Sequence, residues 1–239
     1  MIHVGTSGYN YPEWKGRFYP PTLAAKAMLP YYAGVFDTVE INYTFYRMPT
    51  PALVEGWAAQ VPPQFLFTLK APKRISHDRK LLDVADPLRA FCAAAAALGP
   101  RLGTVLVQLG PTFRCDLPRL QAFIDELPPA LRVAFEFRHA SWWNDEVYAA
   151  LQARNLALCL ADSAERHTPL VSTADYGYLR LRDEGYTPEH LDRWAQVIGD
   201  HQAGWRETFV YFKHEDEGKG PEFASALKTR LGLASPMPD

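Results

Sequence analysis

Eight hydrophobic runs of strand length recur along this chain, and segments with helical spacing separate most of them. The strand-like runs cover residues 2–6, 38–42, 65–70, 104–109, 132–137, 156–161, 178–181 and 208–213. The helical segments cover residues 25–34, 51–60, 87–98, 117–127, 146–154, 188–201 and 222–231. Connections of this length predict parallel pairing, because a parallel crossover needs a dozen or more residues.

Two architectures are compatible with this alternation: a closed eightfold barrel and an open, doubly wound sheet. A chain of 239 residues suits the barrel, whose usual size is about 250 residues. The open sheet also requires a glycine-rich phosphate turn after an early strand, and Gly5-Thr-Ser-Gly8 lacks that pattern. The sequence therefore predicts an α/β fold, a single (β/α)8 TIM-type barrel over 1–239. It has a long aromatic loop after the first strand and an irregular sixth connection.

Composition and charge limit the environment and the partners. The formal net charge is −2, which gives no global electrostatic case for binding nucleic acid or an anionic membrane. The three cysteines are widely spaced and form no C-x-x-C pair, as expected for reduced thiols. With no signal peptide and no 18-residue apolar stretch, we expect a cytoplasmic protein with no membrane partner.

Polar side chains stand at the ends of most of the predicted strands. Because side chains alternate along a strand, each strand directs one set inward, and the functional face of such barrels lies at the C-terminal strand ends. Two carboxylates and five cations fall on this inward set, a formal charge of +3. They are Glu40, Glu136, Lys70, Arg138, Arg180, Arg182 and Lys213. Such a cationic group predicts an anionic ligand that carries a phosphate or carboxylate.

A structural role for the same charges is the alternative. Glu136 could pair with Arg180, and Glu40 with Lys70 or Arg138, in an ionic layer that closes the top of the barrel. Uncompensated positive charge would remain after this pairing, which favours a ligand site over a purely structural set.

The first loop, residues 7–20, is long for a strand-to-helix connection and rich in aromatic residues. Trp14 and Tyr19, with Tyr46 and Trp142 elsewhere, could stack on a base or a sugar ring. The alternative is that they form a small core of their own that fixes the loop.

Metal and serine chemistry find little support. The candidate metal ligands are His77, His139, His167, His214, Glu136, Asp162, Glu215 and Asp216, but no H-E-x-x-H or closely paired histidines occur. No G-x-S-x-G elbow occurs either. We therefore predict no metal site and no required cofactor, with a divalent metal as an alternative. The segment 213–220 could be a phosphate-binding turn or a solvated loop.

Five ordered motifs give a family resemblance. They are Val4-Gly-Thr-Ser-Gly-Tyr9, Glu13-Trp-Lys-Gly16 with Phe18-Tyr-Pro20, Val39-Glu-Ile-Asn-Tyr-Thr-Phe-Tyr-Arg47, Phe135-Glu-Phe-Arg-His139 with Ser141-Trp142, and Tyr211-Phe-Lys-His-Glu-Asp216. The chain resembles the YecE-like family, domain of unknown function 72, nearly end to end. The resemblance implies a TIM barrel and adds Thr6 and Ser7 to the candidate site, but implies no reaction.

This chain departs from the family pattern in two places. Arg182-Asp183 and Lys213-His214 stand where many similar members carry His-Gly and an Asn pair. If these positions contact the ligand, this subgroup would prefer a more anionic one.

Three functional hypotheses follow. In the first, an enzyme, with hydrolysis as one option for its reaction, or a former enzyme binds a phosphate-bearing or other anionic ligand. Arg138, Arg180, Lys70 and Lys213 contact the anion, Asn42 and Gln108 orient it, and Glu136 or Glu40 acts as the base. In the second, the barrel face binds nucleic acid without catalysis, by analogy with endonuclease IV barrels. In the third, Glu40 and Glu136 form a glycosidase-like carboxylate pair, which the surrounding cations disfavour.

Overall fold

Eight parallel strands close into a barrel in the computed structural model, which describes residues 1–163, 166–183, 185–213 and 218–233. Closure is complete because β1 pairs with both β2 and β9, and β5 pairs with β6. A ninth strand, β7, lies antiparallel to β6 outside the ring. The strands are β1 Ile2–Ser7, β2 Thr38–Ile41, β3 Leu66–Lys70, β4 Leu102–Gln108, β5 Val133–Glu136, β6 Ala157–Ser163, β7 Arg166–His167, β8 Tyr176–Leu181 and β9 Glu207–Phe212. The predicted TIM-type barrel is confirmed.

Helices surround the barrel near the predicted positions. They are α1 Met28–Ala33, α2 Tyr43–Tyr46, α3 Pro51–Ala58, α4 Ala85–Ala96, α5 Leu117–Asp125, α6 Asp145–Gln152, α7 Pro188–His201 and α8 Lys219–Arg230. The sequence did not predict α2 or the π-helical turn Arg74–Asp78 that follows β3. Of the described helices, none is long and apolar enough to cross a membrane.

Side-chain caps begin several of these helices. The side chains of Thr50, Asp116, Asn144 and Thr187 each accept a hydrogen bond from a backbone N–H of the first turn, as their sequence positions indicate. Asp86, which precedes Pro87, is not the cap of α4, because that helix begins at Ala85 and Asp86 lies inside its first turn.

The barrel interior changes from apolar in the middle to ionic at the C-terminal end. The side chains of its buried middle are those of Leu106, Ala134, Ala157, Cys159, Tyr176, Tyr178, Phe209 and Tyr211. The Tyr211 hydroxyl lies 2.7 Å from Oγ1 of Thr38 and 2.8 Å from Oγ1 of Thr68, so this phenol is satisfied deep in the barrel. Above this layer the inward side chains are charged, as the strand pattern predicts. We call this C-terminal end the barrel mouth.

The sixth connection is irregular, as predicted. No helix occurs in its described part, between β6 and β8; instead the chain turns back and adds β7, with Asp162 opposite His167 in the ladder.

Candidate functional site

A single guanidinium joins two carboxylates inside the barrel mouth. Arg180 lies at the inward face of β8, and its Nε and Nη2 donate to Glu40 at 2.9 and 2.7 Å. Its Nη1 donates to Oε2 of Glu136 at 2.5 Å. All three side chains are almost completely buried, with Arg180 only 1% exposed. We call Glu40, Glu136 and Arg180 the ionic layer.

Neutral side chains complete the hydrogen bonding of Glu40. Ser7 donates to its Oε1, and the Tyr178 hydroxyl donates to its Oε2 at 2.5 Å. Asn42 in turn donates to the Ser7 hydroxyl at 2.8 Å. Burial alone would raise the pKa of the Glu40 carboxyl, but the charge and hydrogen bonds of Arg180, together with these donors, hold it below its ordinary value.

Glu136 is held in the ionised form in a similar way. Burial would raise its pKa, but the charge of Arg180, a 2.9 Å hydrogen bond from Gln108 and the charge of Lys70 lower that pKa to about 2. The predicted pair between Glu136 and Arg180 is therefore confirmed. The expected partner of Glu40 was wrong: it pairs with Arg180 instead of Lys70 or Arg138, because one guanidinium offers enough donors to serve both carboxylates.

Lys70, the last residue of β3, is the unusual cation of the site. It is 8% exposed, and its ammonium has no ion pair with any carboxylate of the described residues. Its Nζ lies 4.1 Å from the centroid of the Phe45 ring. Burial, followed by the repulsion of Arg180, lowers the pKa of Lys70 to about 7, although Glu40 and Glu136 act in the opposite direction. The contact with Phe45 contributes up to about 2 kcal/mol, less than the several kcal/mol that burial of an uncompensated ammonium costs.

His77 is a site residue whose position the sequence did not reveal. It lies in the π-helical turn Arg74–Asp78, and its ring packs edge-on against Phe45 at 5.0 Å between centroids. Burial, then the charges of Lys70 and Arg138, lower the pKa of its imidazole. The sequence had named His77 only as a possible metal ligand; the signal available was its position shortly after a strand end that carries a lysine.

Arg138 and Lys213 bring further positive charge to the mouth. Both are half-buried, and each makes additional contacts within the molecule. Lys213 lies close enough to Lys70 for its charge to lower the pKa of that residue, and Arg138 acts on His77 in the same sense. Four of the predicted ligand contacts, Lys70, Arg138, Arg180 and Lys213, therefore converge on one end of the barrel.

Two indoles do not fit the predicted stacking role. Trp14 is fully buried in an aromatic cluster of the first loop, 4.8 Å from the Tyr11 ring and 6.1 Å from that of Tyr19. Trp142 is also fully buried, stacked on Phe137, and its Nε1 donates to the backbone of residue 113 at 2.7 Å. Neither ring has a free face for a ligand, so the stacking expectation was wrong for both.

The remaining candidates divide between scaffold and surface. Thr6 is buried and donates from Oγ1 to the backbone oxygen of Gly8 at 2.6 Å, which holds the start of the first loop. Tyr19 is also buried and donates to the backbone oxygen of Tyr9 at 2.5 Å. Tyr46 is 81% exposed and keeps its predicted availability for stacking.

The candidate metal ligands do not assemble among the described residues, where no group of three His, Cys, Asp or Glu side chains could hold an ion. Asp162 and His167 line a separate cavity of 440 Å³, with Nδ1 of His167 2.6 Å from Oδ1 of Asp162. His139 instead accepts a hydrogen bond from the backbone N–H of Ser141. His214, Glu215 and Asp216, and most of the predicted phosphate-binding turn, lie outside the described residues.

Comparison with known proteins identifies a family match and similar crystal structures. The family described as "Protein of unknown function DUF72" matches residues 3–239. The chain belongs to the DUF72 family. A DUF72 protein of Thermotoga maritima MSB8 has a crystal structure with a TM-score of 0.79 at 26% identity, covering 97% of this chain and 99% of that one. A DUF72 protein of Enterococcus faecalis V583 gives 0.82 at 20% identity, covering 99% and 97%, which supports the fold alone.

Two curated proteins are similar to this chain in sequence. The UPF0759 protein YecE of Escherichia coli K12 is 33% identical over 144 residues, which cover 60% of this chain and 50% of the relative. The UPF0759 protein YunF of Bacillus subtilis 168 is 28% identical over 238 residues, which cover 91% and 80%. The match to YecE thus spans half the length of that relative.

Proposed function

We propose that the barrel mouth binds a small ligand with a phosphate or carboxylate group. The observation that carries this proposal is the pairing of charges around Lys70. Arg180 occupies both neighbouring carboxylates, so Lys70 is a buried cation without a described anionic partner. Burying an uncompensated ammonium is costly, and a bound anion would remove most of that cost.

Arg138 and Lys213 extend the same positive region toward solvent, and we assign them contacts with the outer oxygens of the anion. A planar guanidinium suits two-point binding of phosphate or carboxylate, and an ammonium acts as a point charge. Asn42 and Gln108 fix the ionic layer beneath the ligand through Ser7 and Glu136, respectively.

The proposal gives Glu40 and Glu136 a positioning role in place of general-base catalysis. A carboxylate with a pKa of about 2, such as that of Glu136, is a weak base at neutral pH. Both groups already bind Arg180, which keeps them ionised. The same argument disfavours a glycosidase-like pair, in which one carboxyl must carry a proton.

The test is calorimetric titration with sodium sulfate and sodium phosphate, at constant ionic strength and slightly acidic pH. Wild type is compared with Lys70→Met and with a matched control, Arg206→Ala. Arg206 is an exposed cation that immediately precedes β9, at the opposite end of the barrel. We expect Lys70→Met to weaken sulfate binding about tenfold or more and Arg206→Ala to leave it unchanged, a difference of about 1.4 kcal/mol. Equal affinities in the three proteins would refute the anion site.

Nucleic-acid binding is the second candidate, and the burial of Trp14 and Trp142 removes two of its stacking side chains. Fluorescence anisotropy with labelled oligonucleotides over a salt series separates the two proposals. Tight, strongly salt-dependent oligonucleotide binding without saturable sulfate binding would favour the nucleic-acid alternative.

A further inference from the structure

The amine of Lys70 is placed for a reaction that requires its neutral form. A lysine that serves only to bind an anion is most effective when it is charged, yet every feature around Nζ except the Phe45 face and the two glutamates disfavours the charge. The residue is 8% exposed, and Arg180 is the second cause, after burial, that lowers its pKa. Desolvation and a neighbouring cation are the two means by which proteins activate lysine as a nucleophile.

The ionic layer explains why the carboxylates counteract this only in part. Glu40 and Glu136 would normally pair with a nearby ammonium and keep it protonated. In this barrel the bidentate contact of Arg180 with Glu40, and its 2.5 Å contact with Glu136, direct both anions to the guanidinium. Arg180 thus competes with Lys70 for these two carboxylates and also disfavours the charged form of the lysine.

We propose that Lys70 is a nucleophile that forms an imine with a small aldehyde or ketone that carries a phosphate or carboxylate group. The inference rests on the proposed anion site, because Arg138 and Lys213 would hold the charged end of this ligand. Lys70 stands at the C-terminal end of β3, the face on which TIM-barrel enzymes carry their reacting groups.

The reaction balances without an oxidant, a reductant or a metal. The lone pair of Nζ attacks the carbonyl carbon, and the electron pair of the C=O π bond moves to oxygen. A proton moves from nitrogen to that oxygen to give a carbinolamine. The C–O bond then breaks as the nitrogen lone pair forms the C=N bond, and the leaving hydroxide takes the remaining N–H proton and departs as water. Protonation of the imine nitrogen restores a positive charge at the position that the ammonium would occupy.

His77 is suited to carry the proton in these steps. Its imidazole packs against the same Phe45 ring that Nζ of Lys70 contacts. Its lowered pKa, caused by burial and then by the charges of Lys70 and Arg138, keeps the ring neutral at neutral pH. A neutral imidazole can carry the first proton from the attacking amine to the alkoxide oxygen, and then the second N–H proton to the departing hydroxyl.

Reductive trapping tests the proposal on the whole 239-residue chain. Glyoxylate, pyruvate, dihydroxyacetone phosphate and glyceraldehyde 3-phosphate are each incubated with wild type and sodium cyanoborohydride, and the modified lysines are identified by peptide mass spectrometry. At least one probe should label Lys70 at least tenfold faster than the exposed Lys26, and sulfate should compete with that labelling. Labelling of Lys70 no faster than Lys26 with all four probes would overturn the imine proposal.

Two further measurements complete the test. The first uses only the wild-type protein, so it does not depend on the folding of a variant, and the second separates the imine proposal from the anion site. Trace acetylation of wild type by acetic anhydride should modify Lys70 faster than Lys26 at neutral pH, and the reverse order would count against an activated amine. His77→Gln should slow trapping at saturating probe, whereas the exposed control Arg206→Ala should leave both trapping and sulfate affinity unchanged. Saturable sulfate binding with unlabelled Lys70 would support the anion site and reject the imine proposal. If sulfate does not bind and Lys70 is not labelled, both the anion site and the imine are rejected.

Discussion

Arg180 and Glu40 form a two-point ion pair inside the barrel, with Nε 2.9 Å from Oε2 and Nη2 2.7 Å from Oε1. The same guanidinium reaches Glu136. One side chain of β8 therefore links β2 and β5 through their inward carboxylates. This link fixes the charge distribution of the barrel mouth, and Lys70 forms no ion pair with either carboxylate.

Removing the guanidinium should be far more harmful than removing the whole layer. Arg180→Met leaves two buried carboxylates without their counterion and should lower the free energy of unfolding by about 3–5 kcal/mol. The triple variant Glu40→Gln, Glu136→Gln, Arg180→Met carries no buried charge in the layer and should recover part of that loss. Urea denaturation measures both. A loss below about 1 kcal/mol for Arg180→Met would show that the layer is not tightly coupled.

The lowered pKa of Glu136 predicts a specific acid sensitivity. Its folded-state pKa of about 2 lies below the ordinary value of 4.5, so its contribution to stability is present above pH 4.5 and is lost as the pH falls toward 2. Glu136→Gln should have a shallower dependence of unfolding free energy on pH across this window. Identical slopes in variant and wild type, measured by urea denaturation at a series of pH values, would contradict the assigned shift.

The buried indoles should matter for stability. Trp14→Ala and Trp142→Ala each empty a fully buried site and should cost about 3–5 kcal/mol. Tyr46→Ala, at an 81% exposed position, should change stability by less than about 0.5 kcal/mol. Thermal unfolding of the three variants checks this, and an unchanged melting temperature for Trp14→Ala would restore the possibility that its ring serves a ligand.

The barrel and its inward faces could be predicted from the chain because strand alternation is a local property. Leu106, Tyr178 and Tyr211 all lie in the barrel interior, as the alternation of side chains along their strands indicates. The partner of Glu40 could not be predicted in this way. Which cation reaches it depends on closure of the ring, which brings β8 across from β2, and on the number of donors that a guanidinium presents.

Local sequence patterns also could not predict the roles of the loop residues. The aromatic residues of the first loop are equally compatible with a ligand platform and with a core, and only packing against Tyr11 and Tyr19 decides the role of Trp14. His77 is brought to the mouth by a π-helical turn, which has no distinct periodicity in a sequence.

Lys70→Met should stabilise the protein. The folded-state pKa of Lys70, about 7, lies below the ordinary 10.5, so below pH 7 the folded protein bears the full cost of a buried ammonium. That cost is relieved as the pH rises from 7 to 10.5, where the unfolded chain still holds the proton. Lys70→Met should therefore add about 1–4 kcal/mol at acidic pH and less at alkaline pH. A destabilised variant under slightly acidic conditions would contradict this account of the site.

The central claim is that Lys70 supplies charge to a bound anion only while it is protonated. Sulfate affinity should be measured by calorimetry from slightly acidic to alkaline pH for wild type and Lys70→Arg, because sulfate and arginine keep their charges throughout. Wild-type affinity should fall above pH 7, by up to about tenfold per pH unit, and that of Lys70→Arg should stay level. A pH-independent wild-type affinity, or the same decline in Lys70→Arg, would contradict the claim.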